Sequence, residues 1–185
     1  MLDDFKVYDQ RITDSEMINE HSYYGCVFNN IIVDGLIFDD IDFVDCKFEK
    51  CYFINVDFGK TYLKNVVFDG CKLTNCELTN MKINRLDIKA CNLNNCNYSY
   101  SHIVSLQVVD SLIIDSYFNE ANLQDAKFNN SKLTGSVFIN TNMNNACVNT
   151  SDIGDIKISD SSLKGLIVSY EQAVLLIEYL GVKIV

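Results

Sequence analysis

The sequence predicts an all-β solenoid, a chain wound into stacked coils and closed by a short C-terminal α-helix. Three observations predict it. From Phe28 to Val168 every fifth residue is apolar, without a miss. Of the 11 phenylalanines, all but Phe5 lie on that frame. There is no proline and there are only 8 glycines in 185 residues, so the chain lacks the punctuation of separate elements joined by loops. A five-residue period fits neither the 3.6-residue period of a helix nor the two-residue period of a strand.

The residue two places before each frame position is the second element of the pattern. Cys26, Cys46, Cys51, Cys71, Cys76, Cys91 and Cys96 stand there, followed by Ser111, Ser116, Ala121, Ala126, Ser131, Ser136, Thr141 and Ala146. Alternation across one polar residue points both side chains to the same side of a short extended segment. The remaining two residues of each five are mostly Asn, Asp, Lys, Ser or Gly, and turn a corner. A chain that turns the same way after every three extended residues must coil, with its large residues on the axis. The expected organisation is a lead-in over 1–22, the coil over 23–168, and a C-terminal helix and tail over 169–185.

The thiols follow the coil. Their spacings are multiples of five, no Cys-x-x-Cys pair occurs, and no histidine stands near them, so a zinc site is not expected. Seven are expected as buried core thiols and Cys147 as the outward exception. His21 and His102 have no nucleophile in a recognisable arrangement, the glycines form no phosphate cradle, and Asp39 and Asp40 fall on solvated corners. No catalytic, cofactor-binding or metal site is expected, and the protein is read as not an enzyme.

Formal net charge is −10, from 25 acidic against 15 basic side chains. That balance disfavours nucleic acid and anionic membrane as direct ligands. No stretch is long and apolar enough for a transmembrane helix, and the N-terminus lacks a signal-peptide pattern, so the expected compartment is the cytoplasm. The acids are clustered. Between Ile12 and Cys46 there is no Lys or Arg, but Asp14, Glu16, Glu20, Asp34, Asp39, Asp40, Asp42 and Asp45 fall there. Between Ala90 and Ala126 there is again no Lys or Arg, with Asp110, Asp115, Glu120 and Asp125. Outward apolar residues Val104, Val109, Leu112 and Ile114 form a second candidate surface, for an unrelated partner of a structural scaffold.

At the end, Ser169-Tyr170-Glu171-Gln172 has the form of a capping box. Ala173, Val174, Ile177 and Leu180 follow at helical spacing with Tyr170 on the same face, and Gly181 closes the helix. Such an element caps a rod or pairs with its twin across a two-fold axis.

Fives such as Ala121-Asn122-Leu123-Gln124-Asp125 and Ala126-Lys127-Phe128-Asn129-Asn130 resemble the pentapeptide-repeat consensus, Ala-(Asp/Asn)-Leu-x-x. The resemblance implies a right-handed, square-sided β-helix with four fives per turn. Residues twenty apart then stack, for example Cys51, Cys71 and Cys91, in roughly seven turns and a rod about 35 Å long. The closing segment resembles that of the Qnr quinolone-resistance and microcin B17 immunity group. It runs through Gly154-Asp155-Ile156-Lys157-Ile158, Leu163-Lys164-Gly165-Leu166, Tyr170-Glu171-Gln172-Ala173 and Leu180-Gly181-Val182. Asn19 to Phe28 is similar to their early stretch.

This second resemblance implies a homodimer through Leu166, Tyr170, Ala173, Val174, Ile177, Leu180, Val182 and Ile184. It also implies an acidic rod that mimics DNA, binds DNA gyrase or topoisomerase IV, and protects the enzyme from quinolones or peptide toxins. Candidate enzyme-facing acids are Asp34, Asp39, Asp40, Asp45, Glu49, Asp69, Asp110, Asp115, Glu120 and Asp125. Plasmid-borne Qnr proteins interrupt the coil with two projecting loops, whereas this frame is unbroken, which leaves room for protection against a peptide toxin or modulation of gyrase.

Overall fold

Stacking follows directly from the five-residue frame. Strand Lys72–Thr74 pairs in parallel with Tyr52–Ile54 and with Asn92–Asn94, placing Leu73 between Phe53 and Leu93. The same step places Phe48 between Phe28 and Phe68, and Ile83 between Leu63 and Ile103. In this computed structural model, which describes residues 6–8, 11–12, 22–38 and 41–183, the chain is a parallel β-solenoid of about 7 turns with a short C-terminal helix. Each turn has four sides, here called first to fourth, with Phe28, Val33, Phe38 and Phe43 as their first inward frame residues. Pairing begins within the lead-in: Lys6–Tyr8 lies against Ser22–Tyr24, and Arg11–Ile12 lies against Val27 and Phe28.

Frame residues from Phe28 to Ile153 are at most 5 % exposed, and Ile158, Leu163 and Val168 pack on the end of that core. The aromatic residues sort into columns. Phe28 stacks on Phe48 at 4.5 Å and Phe48 on Phe68 at 4.9 Å, both on the first side. On the third side Tyr98 stacks on Phe118 at 4.8 Å and Phe118 on Phe138 at 5.0 Å. Parallel in-register pairing brings identical rings to within stacking distance, so each coil is stabilised chiefly by its two neighbours.

The position two before the frame is not merely small. Ile31, Ile41, Val56, Val66, Met81, Leu86 and Leu106 are buried there too. Where the residue is Cys, Ser or Thr, its side chain joins coils. On the second side Cys51 N–H donates to Cys71 Sγ (3.4 Å), Cys71 N–H to Cys91 Sγ (3.3 Å) and Cys91 N–H to Ser111 Oγ (3.0 Å). Ser111 and Ser131 continue this ladder to Ser151. Some accepting side chains also donate to a frame carbonyl of the preceding coil, as Cys71 Sγ does to Phe48 O (3.3 Å) and Ser151 Oγ does to Phe128 O (2.9 Å), while Cys91, Ser111 and Ser131 donate to the carbonyl two residues before them. A buried N–H left without a partner costs about 1–3 kcal/mol, so a short side chain that both accepts and donates is favoured at this place.

The corners explain the polar pair. The second residue after each frame position is held at positive φ at most corners, and this residue is usually Asn or Asp: Asn30, Asp45, Asn55, Asn65, Asn75, Asn95, Asp110, Asp115 and Asp125 are examples. Asn and Asp tolerate this left-handed conformation better than other residues with a Cβ. Ala90 (φ 49°) gains no such relief, while Gly70 stands one coil earlier in the same column. Ala90→Gly is expected to stabilise the protein by about 1 kcal/mol, read as a rise of roughly 2–4 °C in Tm by circular dichroism. An unchanged or lower Tm would show that the corner carries no strain.

The last coil departs from the pattern. α1 (Asp160–Leu163) replaces a strand, and Ser162 Oγ takes the inward place, accepting from Thr141 N–H at 2.9 Å. α2 (Tyr170–Tyr179) follows with the expected capping box: Ser169 Oγ accepts from Gln172 N–H, and Gln172 Oε1 accepts from Ser169 N–H at 2.8 Å. Gly181 at φ 79° ends the helix, with its N–H on Glu178 O.

Candidate interaction surfaces

Seven thiols are buried and only Cys147 is partly exposed. Burial pushes the Cys46 thiol up to about 12. Cys51 and Cys91, each hydrogen-bonded to Cys71 and buried, are also pushed up. Such thiols stay protonated and are poor nucleophiles or metal ligands. Among the described residues no group of His, Cys, Asp and Glu could hold a metal ion, and no helix is long and apolar enough to cross a membrane. His102 Nδ1 lies 3.0 Å from the Asn122 side-chain amide in an exposed polar row, and His21 lies outside the described residues.

The candidate acids ring the rod. The twenty-residue register puts Asp34 and Asp115 on the second side, Glu120 at the end of the third, Asp45 and Asp125 at the end of the fourth, and Glu49, Asp69 and Asp110 on the first. Asp39 and Asp40 lie outside the described residues. Two of the ten are neutralised locally, since Lys47 Nζ reaches Glu49 at 2.9 Å and Asp69 at 3.1 Å. Sequence clustering therefore did not translate into one acidic face, because consecutive fives point to four different sides. Net negative charge is instead found on the second and third sides. Asp34, Asp115, Asp152 and Asp155 face Lys72 and Lys132 on the second, and Asp57, Glu77, Glu120 and Asp160 face Lys60 and Lys157 on the third.

Winding also divides the apolar group at 104–114. Val104 is on the fourth side, Val109 on the first, and Leu112 and Ile114 on the second, so they do not make one patch. The regular repeat places successive fives on different walls, and beyond a single five only residues about twenty apart share one.

At the C-terminal end α2 lies across the last coil through Gln172 and Leu176, its two buried residues. Gln172 Nε2 donates to Val148 O (2.8 Å) and Ser151 O (2.6 Å), occupying carbonyls that a further coil would otherwise bond. Of the expected dimer residues, Tyr170 (82 %), Ile177 (39 %), Leu180 (52 %) and Val182 (53 %) are exposed. Leu166, Ala173 and Val174 are partly buried, and Ile184 lies outside the described residues. Sequence reasoning missed Leu175 and Tyr179, which are half exposed one turn apart. Their i, i+4 spacing was visible, but α2 is apolar on nearly all sides, and only docking decides which stripe faces out.

Two models of one family match the chain, one described as a pentapeptide repeat region over residues 41–117 and one as pentapeptide repeats over residues 116–154. The chain belongs to the pentapeptide-repeat family. No curated protein matches it. Solved structures of other pentapeptide-repeat proteins resemble it. One is trypsin-treated QnrB1, a plasmid-mediated fluoroquinolone resistance protein (15% identity, 97% of each chain covered, TM-score 0.48). Another is HetL, involved in heterocyst differentiation regulation in the cyanobacterium Nostoc (12% identity, 78% of this chain and 90% of that one, TM-score 0.25). A third comes from the Arabidopsis thaliana thylakoid lumen (16% identity, 80% and 75%, TM-score 0.29). The pentapeptide-repeat fold thus serves proteins of different stated roles.

Proposed function

We propose that this pentapeptide-repeat protein is a non-catalytic binding rod that dimerises through its C-terminus, engages DNA gyrase or topoisomerase IV, and protects the enzyme from poisons. The observation that carries the reading is the closing segment. The stretch whose sequence resembles the Qnr and microcin immunity group folds as a cap that leaves Tyr170, Leu175, Ile177, Tyr179, Leu180 and Val182 exposed. Exposed apolar residues gathered at one end of the rod favour a partner, and a second copy meeting them across a two-fold axis buries them on both sides. Two rods end to end would carry roughly half the charge density of duplex DNA. The second and third sides, where acids exceed bases, are the faces offered to a basic DNA-binding groove.

Purified protein is expected to inhibit gyrase supercoiling, or to restore it in the presence of a quinolone or microcin. Ile177→Asp is expected to sediment as a monomer and to lose that effect. If the wild-type protein neither alters nor rescues supercoiling, and shows no salt-sensitive binding to gyrase or topoisomerase IV, the reading fails. An unchanged dimer for Ile177→Asp would refute the interface alone.

A further inference from the structure

The fourth side differs from the rest of this acidic rod. Over residues 61–65, 81–85 and 101–105 it carries Lys64, Lys82, Arg85 and His102 and no acid. Asp42 and Asp45 bound this stretch one coil earlier, and Asp125 bounds it one coil later. Among the described residues Lys64 and Lys82, both exposed, form no ion pair, and Arg85 reaches only Asp87, at 4.0 Å. Lys64 lies opposite Asn84, and Lys82 between Tyr62 and His102, so the two lysine stems start roughly 8 Å apart. A concavity of about 440 Å³ opens between Lys60 and Lys82.

Further along the same side, the ladder of corner hydrogen bonds breaks. Asp45 N–H donates to Lys64 O at 2.8 Å and Asp125 N–H to Asn144 O at 3.0 Å, but no such bond joins Ser105 N–H to the Gln124 carbonyl. The cause is a change of corner shape. Strand His102–Val109 turns its corner at Ser105 (φ 61°) without interrupting its pairing to Lys82–Lys89, whereas the next coil closes its corner at Asp125 (φ 60°) with Ala126 N–H on Leu123 O at 3.1 Å. The two shapes do not stack. They leave a notch of about 500 Å³ whose lining includes Val104 (49 % exposed), Ser105 and Gln124.

We propose that the fourth side docks an extended acidic segment of a partner protein, with its carboxylates on Lys64, Lys82 and Arg85 and one peptide unit in the notch. Two independent features point to a peptide rather than a nucleic acid. A peptide unit carries both a donor and an acceptor, matching the Gln124 carbonyl and the Ser105 N–H, whereas a phosphate chain brings only acceptors. The basic stretch is also short, about 12 Å from the coil of Lys64 to the notch, which suits about four extended residues. Longer polyanions would meet Asp42 and Asp45 at one end; at the other, Asp125 lines the notch together with Lys127, so the peptide unit seated there is an uncharged backbone group. The inference does not rest on gyrase binding, which uses other sides of the rod.

The test is fluorescence anisotropy with a fluorescein-labelled hexapeptide of Asp and Glu and, separately, a labelled single-stranded oligonucleotide. Saturable peptide binding is expected, weakened when NaCl rises from about 50 to about 300 mM. Lys64→Glu combined with Lys82→Glu should weaken it roughly tenfold or more. Lys72→Glu combined with Lys132→Glu, on the second side, should change it by less than about twofold. Val104→Trp, which fills the notch without altering charge, should also weaken it. Absence of peptide binding, equal loss in both charge-reversed pairs, or tighter binding of the oligonucleotide would overturn the proposal. Thermal melts of each variant separate a lost site from a lost fold.

Discussion

Phe48→Ala is expected to cost about 3–5 kcal/mol, the range for deleting a fully buried aromatic side chain. Phe48 is 0 % exposed and touches rings on four sides. It stacks between Phe28 and Phe68 and meets Phe43 at 5.2 Å and Phe53 at 5.4 Å edge-on. The coil cannot collapse to fill the gap, because its backbone is held by parallel pairing to the coils on either side. In a solenoid the damage is also directional. Coils before residue 48 would lose their seat while those after residue 68 keep theirs. Urea unfolding followed by circular dichroism should therefore show a lower midpoint and a split or broadened transition. Hydrogen exchange should place the lost protection in residues 22–58. A loss below about 1 kcal/mol would show that the stacked column is not what holds these coils.

Gln172→Ala should cost about 2–3 kcal/mol, more than a surface helix substitution, because one side chain serves two structures. Its carbonyl completes the capping box by accepting from Ser169 N–H, and its amide occupies the Val148 and Ser151 carbonyls at the end of the solenoid. Alanine leaves Ser169 N–H and the Ser151 carbonyl without these partners, and the Val148 carbonyl with Ser151 N–H alone. The expected result is a lower Tm together with lost helical signal from α2. If the C-terminus dimerises, the dimer weakens as well. Gln172→Glu is the informative companion. It can keep the acceptor but removes the amide donor, leaving oxygen facing oxygen, so it should be at least as damaging as alanine. If Gln172→Glu matched the wild type, the bonds to Val148 and Ser151 would have no part in closing the rod.

The coil, its frame and its cap were legible in the sequence because each is set by local periodicity. Phe28 to Ile153 point inward because every fifth residue has the same position relative to a corner, and Ser169 to Gln172 form a capping box because only adjacent residues are needed. The surfaces were not legible. Asp110, Asp115, Glu120 and Asp125 follow one another at steps of five and looked like a group, yet successive members face successive sides. Leu175 and Tyr179 were overlooked, because a helix apolar on nearly all sides does not announce which stripe its neighbours will cover. The notch at Ser105 and Gln124 depended on a mismatch between two corners, each ordinary by itself.

The amino-acid sequence by itself determined that this chain coils, which residues fill its axis, and that a capped helix follows the coil. These are properties of neighbours along the chain, where side-chain volume and turn preference act over five residues. Tertiary structure alone decided which charges and apolar groups share a wall and which N–H each Cys or Ser side chain satisfies. It also decided which face of α2 remains open. Those depend on residues about twenty apart meeting through a closed turn, and a contact at that separation exists only once the turn has closed.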